Sequence, residues 1–264
     1  MFVMPALVDV LPMVDGFVDD LAADFAADRF DDYESFVDRC RAFYTDEVLA
    51  QIDRIVSGWS LMASYQDGVT LWHTTAAMAS LRTLEEYRDA RAPTRHLMDW
   101  AVLLHDLAKQ PDGRGRDHVH AFRSAVAAGR VLPGLGFAVT EAWHAEADAW
   151  YSLVESARRY DAERAEYVQD NEQLAAIIEG ADRLYGADAA IVLKAIALHL
   201  AVTVVADWPA RTPLTRAEEQ RFIDPSLAPV LLATMLADHG GWNTFDATTL
   251  ETYLDQTRAV FERF

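Results

Sequence analysis

The sequence predicts an all-α fold, and three observations carry that expectation. Apolar residues recur at three-to-four-residue spacing, as in Phe17, Leu21 and Phe25 or Val48, Ile52 and Val56, which is the period of a helix with one buried face. Breakers fall between the periodic stretches: Gly58, Gly68, Pro93, Pro111 to Gly113, Pro133-Gly134, Gly186, Pro209, Pro213, Pro225 and Gly240-Gly241. Alternating strand-like runs joined by hairpin turns are missing.

Taken in order, the first sixty residues form helices around Phe17 to Phe30 and Phe36 to Val56, whose apolar faces need a partner. Further helices are expected at about 71–91 and 95–108, parted by Pro93, and at about 118–132, after the glycine-interrupted loop PDGRGRD. A helix at about 137–156 follows Pro133-Gly134, and one at about 171–185 stops at Gly186. The run AAIVLKAIALHLAVTVVA within 188–206 is apolar but interrupted by Lys194 and His199; it is short for a bilayer span and reads as a buried core helix. Segments at about 215–222, 226–238 and 246–262 complete the series. No linker divides the chain, so residues 1–264 are expected to form one domain, with a core at 60–206 and helical extensions at 1–59 and 207–264.

With 52% hydrophobic residues, a chain of 264 can bury a sizeable core. A net charge of −19 repels a polyanion, so no nucleic acid polymer is expected as a partner. Cys40 is the only cysteine, which excludes an intrachain disulfide and a cysteine-based zinc site. The opening MFVMPALVDVLPMV lacks a basic leader and holds Pro5, Asp9 and Pro12, making it a poor signal peptide. A cytoplasmic protein that does not engage the membrane is therefore expected; the sequence sets no oligomeric state. A GxxxxGK[ST] loop, a GxSxG elbow, an HExxH pair and a CxxC pair are all absent.

The stretch LLHDLAK, 103–109, places His105 and Asp106 on a leucine-lined helix. Burying such groups without partners costs on the order of 2–7 kcal/mol for a polar group and more for a charge. A salt bridge, a surface position or a metal ion would offset that cost. Adjacent helix residues point about 100° apart, so one ion lying between the two directions could take both an imidazole nitrogen and a carboxylate oxygen. Simpler readings exist for each residue: Asp106 paired with Lys109, Asp182 a surface carboxylate beside Arg183, His144 paired with Asp148. His118 reads as a helix-start residue or neighbour of the site, and His96, His199 and His239 as structural.

TLWHTTAAMASL (70–81), LLHDLAK (103–109) and IIEGADRLYG (177–186) resemble the hallmark segments of the HD-domain superfamily: a His, a His-Asp pair and a distant Asp. DHVHAFRSA (117–125) and TEAWHAEAD (140–148) resemble the two further histidine segments of members that hold a metal pair, with His120 matching better than His118. The resemblance covers about residues 60–206. It implies an all-α metal-dependent hydrolase in which His73, His105, Asp106 and Asp182 bind one divalent ion and His120 and His144 serve a second, with Asp106 shared. Imidazole and carboxylate donors suit Mn, Fe, Co, Ni or Zn, whereas Mg prefers more oxygens. Metal-bound water ionises more readily than free water and supplies a hydroxide nucleophile near neutral pH.

Lys109 stands out because Lys109 and Lys194 are the only lysines; its compact charge suits contact with a substrate phosphate or the metal-bridging oxygen, giving it a catalytic and substrate-binding role beside Asp106. Arg114, Arg116 and Arg123 are further candidates for phosphate contact. The activity expected is hydrolysis of a small phosphorylated substrate, a nucleotide or phosphorylated metabolite. Two alternatives are a mixed-valent di-iron oxygenase of the same superfamily, cleaving a C–C or C–P bond, and a non-catalytic helical ligand-binding or signalling domain.

Overall fold

Proline and short polar side chains set several helix starts. Pro12 occupies the first turn of a helix, where its missing N–H costs nothing. Asp32 and Ser35 close a reciprocal capping box, as do Thr215 and Glu218. A computed structural model describes residues 4–109, 116–117, 119–156, 159–163, 166–168, 171–204 and 214–264.

The amino-terminal helices are α1 (Leu7–Val10), α2 (Pro12–Ala26), α3 (Tyr33–Phe43), α4 (Asp46–Asp53) and α5 (Trp59–Ser64). Next come α6 (Val69–Thr83), α7 (Glu85–Arg88), α8 (Ala92–Leu104), α9 (His120–Val131) and α10 (Trp143–Ser156). The chain ends with α11 (Asn171–Leu184), α12 (Ala187–Leu198), α13 (Arg216–Phe222), α14 (Ala228–Asn243) and α15 (Ala247–Phe261). The all-α class expected from periodicity is the class observed.

Among the described residues, three short strands depart from it: β1 (Arg116–Asp117), β2 (Arg159–Asp161) and β3 (Glu166–Val168). They form one small sheet in the order β1-β3-β2, with β1 parallel and β2 antiparallel to β3. Two or three residues per strand are too few for a period of two to register in sequence.

Helix α6 lies at the centre. Every residue from Thr70 to Ala79 is buried, and α2, α8 and α14 pack against it. Helix α12 is also buried on most sides, against α8, α9, α11 and α14. Helix α12 is apolar nearly all round, as interior helices are, whereas α6 also buries Thr70, His73, Thr74 and Thr75. The hydrophobic core is continuous from Leu7 to Phe261, so α2 and α14, outside 60–206, cover the central block directly.

Arg82, at the end of α6, joins three helices through ion pairs, of which that to Asp19 lies at the surface. It reaches Asp15 at 2.6 Å and Asp19 at 2.9 Å on α2, and also Asp99 on α8 and the Tyr87 hydroxyl. Burial raises the Asp99 carboxyl, and the Arg82 guanidinium works against that rise.

Several boundaries differ from expectation: the helix expected at 137–156 begins only at Trp143, and the one expected at 188–206 ends at Leu198. The helix expected through 91 breaks at Leu84, whose extended backbone separates α6 from α7. The Gly240-Gly241 pair, read as a breaker, lies inside α14. A Cβ on Gly241 would come within 2.9 Å of the Ala77 nitrogen and the His73 carbonyl oxygen, and one on Gly240 would strike the Ser80 hydroxyl. Glycine is used here for close helix approach, not for a turn. Gly68 does serve a turn: its φ of +92° is left-handed, and the chain enters α6 from it. Among the described residues, no helix is long and apolar enough to cross a membrane.

Candidate metal centre

Five helices bring polar side chains to one buried place. His73 sits on α6 with 1% of its surface exposed. Helix α8 ends at Leu104, and His105 and Asp106 occupy the following turn, both fully buried. His120 opens α9, His199 follows the last residue of α12, and Asp238 lies on α14. The last turns of α8, Trp100 to Leu104, are wholly buried and apolar, so the turn that carries His105 and Asp106 is pressed inward.

The groups fall into two sets of three, His73 with His105 and Asp238, and Asp106 with His120 and His199; in each set the ligand atoms lie within 4.8 Å of one another. His73 Nε2 is 2.8 Å from Asp238 Oδ1 and 3.3 Å from His105 Nε2. His105 Nε2 lies 3.4 Å from Asp238 Oδ1. Asp106 stands between the sets, with Oδ2 3.4 Å from His73 Nε2 and Oδ1 3.0 Å from His120 Nε2.

Backbone contacts fix the tautomers. His105 Nδ1 is 2.7 Å from the Val102 carbonyl and His199 Nδ1 is 2.7 Å from the Ile196 carbonyl. A carbonyl only accepts, so each Nδ1 carries the proton and donates it. In the neutral ring, Nε2 then presents a lone pair to the cluster. His199 Nε2 is buried with no hydrogen-bond partner, a state that costs about 1–3 kcal/mol. A cation among Asp106, His120 and His199 would satisfy it. Imidazole and carboxylate donors in this arrangement fit a borderline divalent ion.

The electrostatics also call for positive charge. Burial opposes protonation of His105, but Asp106 and Asp238 outweigh it and its pKa is raised. Burial opposes ionisation of Asp106, yet Lys109, followed by His105 and His120, holds the carboxyl well below its usual range. Asp238 is likewise held far down against burial by hydrogen bonds to His105 and His73. Burial lowers His73 and His120, and it depresses His199 to about 3.

Of the residues expected from sequence, the structure brings together His73, His105, Asp106 and His120, and Lys109 joins them. It does not bring His144 or Asp182. His144 is exposed in the first turn of α10, its ring 5.2 Å from that of Trp143. The Asp182 side chain is 51% exposed and pairs with Lys194 Nζ at 2.8 Å, while Arg183 pairs with Glu146 at 3.0 Å. His199 and Asp238, the first read as structural and the second not singled out, occupy the places those two were expected to fill. Their signal is present in the sequence: each is a polar side chain on an apolar, buried helix, as His105 is.

Lys109 Nζ donates to Asp106 Oδ2 at 2.6 Å, the simpler pairing that helical spacing allows. Arg123 donates to the Ala108 carbonyl at 3.0 Å, holding the turn that carries Lys109. Arg114 and His118 lie outside the described residues, as does the side chain of Arg116. At the rim, the Trp242 ring stacks on His73 with centroids 4.1 Å apart and planes inclined by 19°, and Lys109 Nζ lies 5.0 Å from the Trp242 centroid.

A surface cavity of about 230 Å³ lies elsewhere, lined by Phe25, Phe30, Ser80, Thr244 and Phe245 among others. The chemistry of the His/Asp clusters, not cavity size, marks the candidate site. Comparison with protein-family models, curated proteins and solved structures finds no match for this chain. The molecule is thus a helical protein whose buried histidine and aspartate clusters could hold a metal ion.

Proposed function

We propose that this chain is a metal-dependent phosphohydrolase of the HD-domain type, acting on a small phosphate ester such as a nucleotide or phosphorylated metabolite. The observation that carries the reading is the convergence of His73, His105, Asp106 and His120, in the chain order the resemblance requires, completed by His199 and Asp238. His73, His105 and Asp238 would hold one divalent ion, His120 and His199 a second, with Asp106 between them. Such ions, Mn, Fe, Co, Ni or Zn, supply Lewis-acid polarisation and water of lowered pKa when bound.

The chain's own groups do the rest. Asp106 is ionised throughout the physiological range, so it presents negative charge to the centre without a proton to lose. Lys109 is 20% exposed and carries its ammonium beside Asp106, where it can bind and orient an anionic oxygen of the ester. Arg123 holds the turn beneath it. The apolar walls from α8 and α12 limit water around the reacting group.

The test is metal content and turnover together. The purified chain is expected to retain transition metal by elemental analysis. His105→Ala, Asp106→Ala and Asp238→Ala should each lose most of it, whereas Asp182→Ala and His144→Ala should keep it. With added Mn²⁺, Co²⁺ or Ni²⁺, phosphate should be released from at least one nucleotide or phosphomonoester, and the ligand variants should lose activity by orders of magnitude. Full metal retained in the first three variants would sink the assignment of the centre. An inert phosphate panel with oxygen consumption after anaerobic iron loading would replace the hydrolase by the oxygenase.

A further inference from the structure

We infer that Trp242 selects substrates that carry a flat ring beside the phosphate, a role that rests on the phosphate-ester reading above. Trp242 lies one turn beyond Asp238 on α14 and is 52% exposed, among the most exposed large apolar side chains described. The His73 ring covers one indole face in a near-parallel stack. With His73 stacked on the ring and about half the residue in water, part of the indole remains exposed at the rim of the His/Asp clusters.

The position of this exposed ring, stacked on a histidine of the cluster and under a lysine ammonium, is what marks it, not its exposure alone. The stack on His73 orients the indole plane, and Lys109 Nζ lies over the same ring, 5.0 Å from its centroid, which adds a cation to the surface. A rigid π surface beside a compact positive charge matches a planar heterocycle joined to a phosphate. The heterocycle would stack on the exposed part of the indole and the phosphate would reach Lys109. Base–aromatic stacking is worth about 1–3 kcal/mol by alanine substitution. A ring-free sugar phosphate would meet Lys109 alone.

The experiment compares two ligands that share ribose and phosphate and differ in the base: adenosine 5′-monophosphate and ribose 5-phosphate. Equilibrium binding to the full-length Mn²⁺-loaded chain is measured by calorimetry with the methylene phosphonate analogue of each, and kcat/KM is measured with the esters themselves. The wild type is expected to prefer the adenosine compound by roughly tenfold or more. Trp242→Leu should bring the ratio close to one, and Trp242→Phe should restore most of it. The ratio is the readout, because loosened packing of His73 would weaken both ligands alike and leave their ratio unchanged. A wild-type ratio near one, or a ratio that survives Trp242→Leu, overturns the role of Trp242 while the phosphate-ester reading stands. Failure of both analogues to bind overturns that reading and this inference with it.

Discussion

His199 shows how much a single buried imidazole can control. Its folded pKa is depressed to about 3 by burial, against an ordinary value of 6.5. As pH falls below 6.5, the unfolded chain takes up a proton that the folded chain refuses, so stability is lost progressively between about pH 6.5 and pH 3. In metal-free protein, urea unfolding at pH 7.5 and pH 5 should therefore show a larger loss for the wild type than for His199→Leu. Parallel losses would show that the residue is not held neutral. The same residue marks where reading the sequence succeeds and where it stops. His105 and Asp106 are legible because a charged pair inside a leucine run is costly wherever the helix points. His144 and Asp182 look equivalent in sequence, but the direction their helices face is set by packing, and both face water.

At the scale of elements, the seam between α6 and α14 sets the site. Gly241 lies against the backbone of Ala77 and His73, and backbone cannot move aside as a flexible side chain can. Gly241→Ala should cost about 1–3 kcal/mol through overpacking and, by pushing α14 outward, lower metal retention as Asp238 leaves His73. A Cβ added at Gly16, on α2, would meet nothing within 4 Å, and Gly16→Ala should stabilise the fold by about 0.5–1 kcal/mol. Thermal melts of both variants, with metal analysis of the first, check the pair. Helix identity and most starts are legible from proline, capping residues and period. The glycine pair misleads because glycine breaks a solvated helix yet permits a crowded one, and only the neighbouring helix distinguishes the two cases.

At the scale of the whole molecule, the block 60–206 is incomplete without its flanks. Asp238 belongs to the carboxy-terminal extension, and α2 and α14 cover α6, which is buried nearly all round. Residues 60–206 expressed alone are expected to lack rigid tertiary structure and to retain no metal, as read by near-ultraviolet circular dichroism and elemental analysis. Full-length Asp238→Asn should keep the folded spectrum and lose only metal. A fragment with native-like spectrum and stoichiometric metal would show that α14 is dispensable. The distance between His73 and Asp238 along the chain also sets an order of events during synthesis. At about 5–20 residues per second, the stretch between them takes on the order of ten to thirty seconds to translate. The growing polypeptide carries His73 and His105 long before Asp238, the carboxylate of their set, exists. An ion held by His73, His105 and Asp238 would therefore be enclosed only after α14 had been made, whereas the Asp106, His120 and His199 set is complete once the end of α12 has been made.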